Sequence, residues 1–168
     1  MSKDNLLGKN AFITGASQGL GYEIAKGFIS MGANIFLCAR SDIKLRKVYE
    51  EFQQLKHPEQ KIVIFPIDIS IEAQCDKAIE YFFESFNKID ILINNAGIIG
   101  PKGLFDNSEW LQWKYAMNVN FYGSVYLIFR FLPHFKKQRS GSIIQLSGGG
   151  ATSPLPNMTA YAASKAAL

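Results

Sequence analysis

The sequence predicts an α/β fold, a doubly wound parallel sheet with five strands, and three observations lead to that prediction. Short apolar runs alternate with segments whose apolar residues recur every three or four positions, as strands alternating with helices do. The first apolar run leads directly into a glycine-rich turn. Of the 168 residues, 48% are hydrophobic, which suffices for the core of a single domain. Such alternation produces right-handed βαβ units and a parallel sheet.

The first strand and the first helix enclose that glycine-rich turn, at residues 14–21. The strand covers residues 11–13, and the apolar residues that we expect to face the sheet from the helix are Leu20, Ile24, Phe28 and Met31. Glycine permits positive φ angles and keeps Cβ atoms away from a ligand on the backbone. The helix N-terminus points unpaired N–H groups at the same place, which suits a pyrophosphate. The predicted nucleotide-binding residues here are Gly15, Ser17, Gln18, Gly19, Leu20 and Gly21.

The remaining elements continue the alternation of strands and helices. The later strands are predicted over residues 35–38, 62–65, 89–93 and 142–146. The later helices are predicted to begin after the capping residues Ser41 and Ser70, to cover residues 108–135, and to run from near Asn157 to the last residue. In such a sheet, a ligand lies beyond the carboxyl ends of the strands, where the strand order reverses.

Composition argues against several classes of partner. The net charge of +4 and the pI of 9.0 are mild, and the basic residues are scattered apart from residues 136–139, which argues against nucleic-acid binding. No apolar run approaches membrane-spanning length, and no signal peptide precedes the first strand. Cys38 and Cys75 are isolated thiols without metal-type spacing. We therefore expect a cytoplasmic protein that binds no metal, nucleic acid or membrane.

Three short motifs follow one another along the chain. They are Thr14-Gly15-x-x-x-Gly19-x-Gly21, Asn94-Asn95-Ala96-Gly97 and Tyr161-x-x-x-Lys165. Together they resemble the motifs of the short-chain dehydrogenases/reductases, and the likeness extends from the first strand to the last residue. The resemblance implies a Rossmann-type fold and NAD(P)-dependent hydride transfer to or from a carbonyl or alcohol carbon of a small molecule. It further implies cofactor contacts from Ala96 and Gly97.

Tyr161 and Lys165 are four residues apart on a predicted helix and therefore share one face. A phenol has a reference pKa of about 10, and a nearby ammonium favours the phenolate. Tyr161 is thus predicted to exchange a proton with the substrate oxygen, while Lys165 assists it and holds the cofactor ribose. Tyr161 is also predicted to contact the cofactor, facing its nicotinamide. By the same resemblance Asn120 supports a proton relay through water, and Asn118 is a nearby decoy.

The end of the second strand bears on the choice of cofactor. An acidic residue there would bind the 2′-hydroxyl of NAD, whereas an arginine suits a 2′-phosphate. Ala39 occupies the acidic position and is followed by Arg40 and Ser41, so NADP(H) is favoured over NAD(H). Asp68 matches the family's adenine-contacting acidic residue, although a simple turn aspartate is an equal interpretation. Asn94 is expected to tie strand four to its neighbours and to shape the cofactor crevice.

Two features depart from the family's pattern. A serine normally stands thirteen residues before the tyrosine, and Gly148 occupies that position here, without a hydroxyl donor. A shift of the glycine run 148–150 could bring Ser147, Thr152 or Ser153 into its place, and Ser147 is the candidate catalytic residue among them. Such sheets have six or more strands, so we expect residues 1–168 to be one domain that is incomplete at its C-terminus. The fifth strand would then be an uncovered sheet edge.

Three functions stay open at this point. The first is an NADP(H)-dependent oxidoreductase that uses Tyr161, Lys165 and Asn120. The second is a nucleotide-binding or oligomerising remnant without turnover, which the glycine at position 148 favours. The third is a sugar-nucleotide epimerase or dehydratase, which the glycine spacing and the Asn94-Asn95-Ala96-Gly97 motif disfavour. By analogy with relatives, the long helix and the last helix would pair in a homodimer or homotetramer.

Overall fold

Five parallel strands form the central sheet of the computed structural model, which describes residues 5–168. The strands are β1 (Asn10–Thr14), β2 (Asn34–Ala39), β3 (Ile62–Pro66), β4 (Ile91–Asn94) and β5 (Ser142–Gln145). Their spatial order is β3-β2-β1-β4-β5, and every neighbouring pair is parallel. The order reverses between β1 and β4, which places the expected ligand crevice at the carboxyl ends of these two strands. The predicted doubly wound α/β sheet is confirmed.

The helices pack on the two faces of this sheet. They are α1 (Gly19–Ser30), α2 (Asp42–Leu55), α3 (Glu72–Ser85), α4 (Trp110–Met117), α5 (Gly123–Gln138) and α6 (Thr159–Ala167). A π-helical turn, Asn118–Tyr122, joins α4 to α5. The single long helix predicted over residues 108–135 is therefore a run of three helical segments. Because π-helical turns are frequent at functional sites, this interruption indicates that the region around residue 120 belongs to a candidate site.

Alternation along the strands divides the core into two layers of different composition. Phe12 and Phe36 stack with ring centroids 5.0 Å apart and meet Phe82 of α3 and Phe131 of α5 on one face. The neighbouring strand residues point to the other face, where aliphatic side chains pack against α1 and α2. Both layers are fully buried, so the strand ends that carry the turns are held rigidly from both sides.

Helix α1 packs through a face that only partly matches the predicted one, since Ile24 and Phe28 are half-buried against the core as expected. Its buried residues are Gly21, Ala25 and Ile29, whereas Leu20 is 59% exposed. The periodicity rule selected the large apolar residues. This helix instead lies so close to the sheet that a Cβ at Gly21 would overlap the carbonyl oxygen of Gly15. Close approach thus places small residues in the interface.

The two predicted helix caps have different outcomes. Ser41 caps α2 as predicted, since its Oγ accepts the Lys44 backbone N–H at 3.3 Å. Ser70 does not cap α3, which begins at Glu72 after Ile71. The reason is that the Ser70 N–H and hydroxyl both donate to Asp68 Oδ1, at 2.9 and 2.7 Å. This local turn holds Ser70 away from the helix end.

Strand β5 lies at one edge of the described sheet, as predicted for the last strand. It pairs with β4 alone, through the register Ile91↔Ser142 to Asn94↔Gln145. Ile144 on this strand is 42% exposed. The opposite side of β5 is therefore not paired with any strand among residues 5–168.

Candidate active site

A cleft of about 630 Å³ opens at the carboxyl ends of the strands, beside the β1–α1 turn. The predicted cofactor-binding residues that line it are Gly15, Ser17, Gln18, Gly19, Leu20, Gly21, Arg40, Ser41, Asp68, Ala96 and Gly97. Sequence reasoning missed further lining residues, which include Lys44, Asn95, Ile98 and Val119. The sequence could have indicated Lys44, because this lysine lies in the first turn after the Ser41 cap and is therefore close to Arg40 along the chain. The loops after β1, β2, β3 and β4 thus converge on one cleft.

The turn between β1 and α1 depends on its glycines. Gly15 and Gly19 have φ angles of +65° and +59°, which L side chains rarely adopt. An added Cβ at Gly15 would also lie 2.8 Å from the Cα of Ala96. The turn therefore leaves bare backbone facing the cleft.

The N-terminus of α1 faces this cleft without a capping side chain. Gln18 occupies the cap position but makes no capping hydrogen bond, and its Oε1 instead accepts from Lys44 Nζ at 2.6 Å. The first turn contains no acidic residue. Backbone N–H groups and the positive helix end thus remain free for an anion, and the Lys44 ammonium lies beside them. These features fit the diphosphate of a dinucleotide.

Asn95 joins the β1 turn to the loop after β4. Its Nδ2 donates to the carbonyl oxygens of Thr14 and Gly15, at 2.9 and 3.2 Å. The Thr14 hydroxyl in turn accepts the N–H groups of Asn95 and Ala96, both at 3.0 Å. The two sides of the crevice are thereby held at a fixed separation.

Asn94 has a different position from the one expected. Its Nδ2 donates to the Ser124 carbonyl on α5 at 3.2 Å, and its side chain is buried away from the cleft. Asn94 therefore ties strand β4 to α5 and β5, as expected, but it does not line the cleft, whereas Asn95 does. Adjacent residues at a strand end point in opposite directions, and the sequence alone did not decide between them.

Arg40, Tyr115 and Asp68 form a connected group at the end of the cleft near β2 and β3. Arg40 Nη1 donates to the Tyr115 hydroxyl at 2.8 Å, and that hydroxyl donates to Asp68 Oδ2 at 2.6 Å. Burial opposes ionisation of Asp68, but the hydrogen bonds from Tyr115 and Ser70 outweigh it and lower the pKa of the carboxyl group. Tyr115 carries no motif, and nothing in the sequence indicated it.

Helix α6 carries Tyr161 and Lys165 on one face, as predicted. Lys165 Nζ lies 5.9 Å from the centroid of the Tyr161 ring and donates to the Leu146 carbonyl at 2.6 Å. The lysine is only 5% exposed, and burial lowers its pKa below the usual lysine value. A Cβ built on Gly97, which lines the cleft, would lie 3.6 Å from Lys165 Nζ. Lys165 therefore adjoins the cleft at Gly97, and the Tyr161 ring lies next to its ammonium group, outside the lining of the cleft.

Asn120 lies in the π-helical turn and is fully buried. Its Oδ1 accepts the Ile98 N–H at 2.7 Å, and its Nδ2 donates to the Ile98 carbonyl and to the Ser164 hydroxyl, both at 2.8 Å. The Ser164 hydroxyl donates to the Tyr161 carbonyl at 2.8 Å. Asn120 thus connects the loop after β4 to the helix that carries Tyr161, and Asn118 is exposed.

Gly148 lies directly against the Tyr161 hydroxyl. A Cβ added to Gly148 would be 2.5 Å from the Tyr161 oxygen, and one added to Gly150 would be 2.7 Å from the Ala162 Cα. The glycine run is therefore fitted against α6. The Ser147 hydroxyl donates to the Lys165 carbonyl at 3.3 Å, so in this arrangement it serves the α6 backbone.

Two further kinds of feature are absent from the described part of the chain. Among residues 5–168, no three His, Cys, Asp or Glu side chains are grouped to hold a metal ion. Within the same range, no helix combines the length and apolar character needed to cross a bilayer.

Comparisons with known proteins agree with this geometry. Residues 9–168 match the family model described as short chain dehydrogenase. The chain is 36% identical over 165 residues to 11-beta-hydroxysteroid dehydrogenase-like 3 of Arabidopsis thaliana, which covers 98% of the chain and 52% of that protein. It is 34% identical over 167 residues to a fatty acyl-CoA reductase of Acinetobacter baylyi, covering 99% of the chain and 56% of the reductase.

A solved structure extends the comparison to three dimensions. The crystal structure of a metagenomic short-chain oxidoreductase in complex with NADP superposes with a TM-score of 0.90 at 30% identity. The match covers 97% of this chain and 72% of that one. The chain spans about half the length of the curated relatives it matches.

Proposed function

The chain belongs to the short-chain dehydrogenase family, and from that premise we propose that it is an NADP(H)-dependent oxidoreductase acting on a carbonyl or alcohol carbon. Its relatives are named as dehydrogenases and reductases. The observation that carries the proposal is the position of the Tyr161–Lys165 pair, with the Lys165 ammonium beside Gly97 at the border of the glycine-rich cleft. A nucleotide site and a proton-transfer group thus adjoin one another.

The diphosphate of the cofactor would lie on the N-terminus of α1. Gly21 has no Cβ and Gln18 provides no cap, so backbone N–H groups face that position. Arg40, Ser41 and Lys44 line the same cleft where β2 ends, and no carboxylate lies at the Ala39 position. Two cations there suit the 2′-phosphate that distinguishes NADP from NAD. These features support the preference for NADP(H).

The chemistry of the reacting end would be divided among three side chains. When the cofactor is bound, its part is the hydride that joins or leaves the substrate carbon. In reduction, the Tyr161 hydroxyl gives its proton to the carbonyl oxygen, and the Lys165 ammonium stabilises the phenolate that remains. Burial, which lowers the pKa of Lys165, also strengthens this attraction because the local dielectric is low. Asn120 holds the loop after β4 against α6. In oxidation the proton moves in the opposite direction, from the substrate hydroxyl to Tyr161.

Replacing Tyr161 with Phe tests the proposal, because it removes the proton donor and keeps the ring. We expect the dissociation constant for NADPH, measured by fluorescence titration, to stay within about two-fold of wild type, since Tyr161 does not line the cleft. Turnover across a panel of carbonyl substrates should fall by about 10²- to 10⁴-fold. Retention of turnover by this variant would exclude the assigned role of Tyr161.

A remnant that binds nucleotide without turnover is the second candidate, and Gly148 favours it. The family pattern has a hydroxyl donor at that position, and losing one such donor costs about 3 kcal/mol of transition-state stabilisation. Wild-type protein that binds NADPH but converts no member of a carbonyl and alcohol panel would support this candidate. A homodimer or homotetramer stays a prediction for either candidate.

A further inference from the structure

We propose that Tyr115 is a positioning residue that holds the Arg40 guanidinium ready for the 2′-phosphate of NADP(H). The inference rests on the proposed function, because it assigns a means of cofactor selection to the same cleft. Tyr115 belongs to α4, which is a separate element from the loop after β2 that carries Arg40.

The geometry around Tyr115 is a chain of hydrogen bonds with a fixed direction. The hydroxyl has one proton, which it donates to Asp68 Oδ2 at 2.6 Å, so it can only accept from Arg40 Nη1 at 2.8 Å. Asp68 is held in turn, because its Oδ1 accepts the N–H and the hydroxyl of Ser70. The Arg40 guanidinium also lies 5.9 Å from the centroid of the Tyr115 ring.

Because Tyr115 lies between Arg40 and Asp68, most of the guanidinium N–H donors of Arg40 stay available for a ligand. Arg40 forms no ion pair within 4.0 Å among the described residues, so no carboxylate occupies its N–H donors directly, although Asp68 attracts it from beyond the tyrosine. A guanidinium has five N–H donors, and the bond to Tyr115 uses one of them. The remaining donors are available for a phosphate. An exposed arginine that is already ordered also loses less conformational entropy when it binds.

The chain contains a second Arg–Tyr–Asp group that serves as a control for loss of the hydroxyl, although there the arginine also pairs directly with the carboxylate, Arg130 Nη1 lying 2.6 Å from Asp76 Oδ1. On α5, Arg130 Nη1 donates to the Tyr126 hydroxyl at 3.2 Å, and that hydroxyl donates to Asp76 Oδ1 at 2.9 Å. The Arg130 guanidinium lies 5.9 Å from the Tyr126 ring centroid. Neither residue lines the nucleotide cleft. Tyr126→Phe therefore removes the same kind of hydroxyl at a place that should not affect nucleotide selection.

The experiment is a calorimetric titration of wild type, Tyr115→Phe, Tyr126→Phe and Arg40→Ala with 2′,5′-ADP and with 5′-AMP. We expect Tyr115→Phe to weaken 2′,5′-ADP binding by about three- to ten-fold, the usual effect of one hydrogen bond, with 5′-AMP binding unchanged. Tyr126→Phe should match wild type for both ligands. Arg40→Ala should remove the preference for the 2′-phosphate. Circular dichroism spectra and melting curves identify any variant that does not fold.

The outcomes separate this inference from the proposed function. Wild type that binds neither nucleotide, or binds both equally, overturns the NADP(H) assignment and this inference with it. A wild-type preference that Arg40→Ala removes, while Tyr115→Phe keeps it, overturns only the role of Tyr115. Equal weakening of both nucleotides in Tyr115→Phe also overturns it, because that pattern indicates a general loss of cleft shape.

Discussion

Adding a single methyl group at Gly148 should disable the reaction while leaving the nucleotide site intact. The added Cβ would lie 2.5 Å from the Tyr161 hydroxyl oxygen, whereas an ordinary contact begins at 3.4 Å. The hydroxyl must therefore move by the difference, about 0.9 Å. Misplacing a reacting group by 1 Å costs about a hundred-fold in rate. We expect Gly148→Ala to lower kcat by about that factor.

The backbone conformation at residue 148 does not by itself explain the expected loss of kcat in Gly148→Ala. Gly148 has φ −169° and ψ 176°, an extended conformation that alanine adopts freely. Gly148 does not line the nucleotide cleft, so the dissociation constant for NADPH should be unchanged. Gly149→Ala is the matched control, because a Cβ at Gly149 meets no atom within 4 Å. Its steady-state kinetics should equal those of wild type.

Gly148→Ser separates steric fit from hydrogen bonding. It carries the same Cβ and adds the hydroxyl that the family pattern has at this position. If room for the tyrosine matters most, the serine variant is as slow as the alanine variant. Turnover of Gly148→Ser above that of wild type would refute the reasoning, because the missing donor would then outweigh the displaced phenol. Steady-state assays with one carbonyl substrate decide between them.

Two further predictions concern stability. Asn120→Ala removes three hydrogen bonds to Ile98 and Ser164, each worth about 1 kcal/mol. The loss should lower Tm by about 6–12 °C, whereas Asn118→Ala, at an exposed position, should leave Tm unchanged. Equal melting temperatures of the two variants would contradict the stabilising role of Asn120. For Asp90, burial opposes ionisation, but hydrogen bonds from a backbone N–H and two lysines outweigh it and lower the pKa. The resulting stability is present above the unfolded aspartate pKa of about 3.9 and is lost as the pH falls through the lowered value. Urea denaturation should therefore show a stability gap between wild type and Asp90→Asn that begins to shrink as the pH falls below about 4. A gap that keeps its full size as the pH falls further would contradict this.

The sheet and the nucleotide turn could be predicted because they follow from local rules. Alternating apolar runs predicted the five strands and their parallel sheet, and Gly15 and Gly19 do have the positive φ angles for which glycine is needed. Tyr161 and Lys165 share one face because they are four residues apart on α6. Each of these conclusions needed only residues that are close together in the sequence.

The parts that could not be predicted depend on contacts between distant segments. Tyr115 acquires partners from the loops after β2 and β3, which no spacing on α4 could indicate. The choice between Asn94 and Asn95 depended on the direction of the last residue of β4. The inward face of α1 depended on how closely that helix approaches β1, which hydrophobicity does not encode. Tertiary packing decided each case.

The contrast between Gly21 and Asn120 implies that the two ends of the cleft tolerate mutation in opposite ways. Around Gly21 there is no space, so a replacement adds atoms against the Gly15 carbonyl oxygen and the Asn95 amide and would distort the proposed nucleotide turn. Around Asn120 the architecture is made of side-chain amides and hydroxyls, so replacements subtract bonds and weaken the assembly by degrees. Substitutions that remove atoms at Asn120 can therefore act in small steps, whereas at Gly21 even one added carbon forces the turn to move.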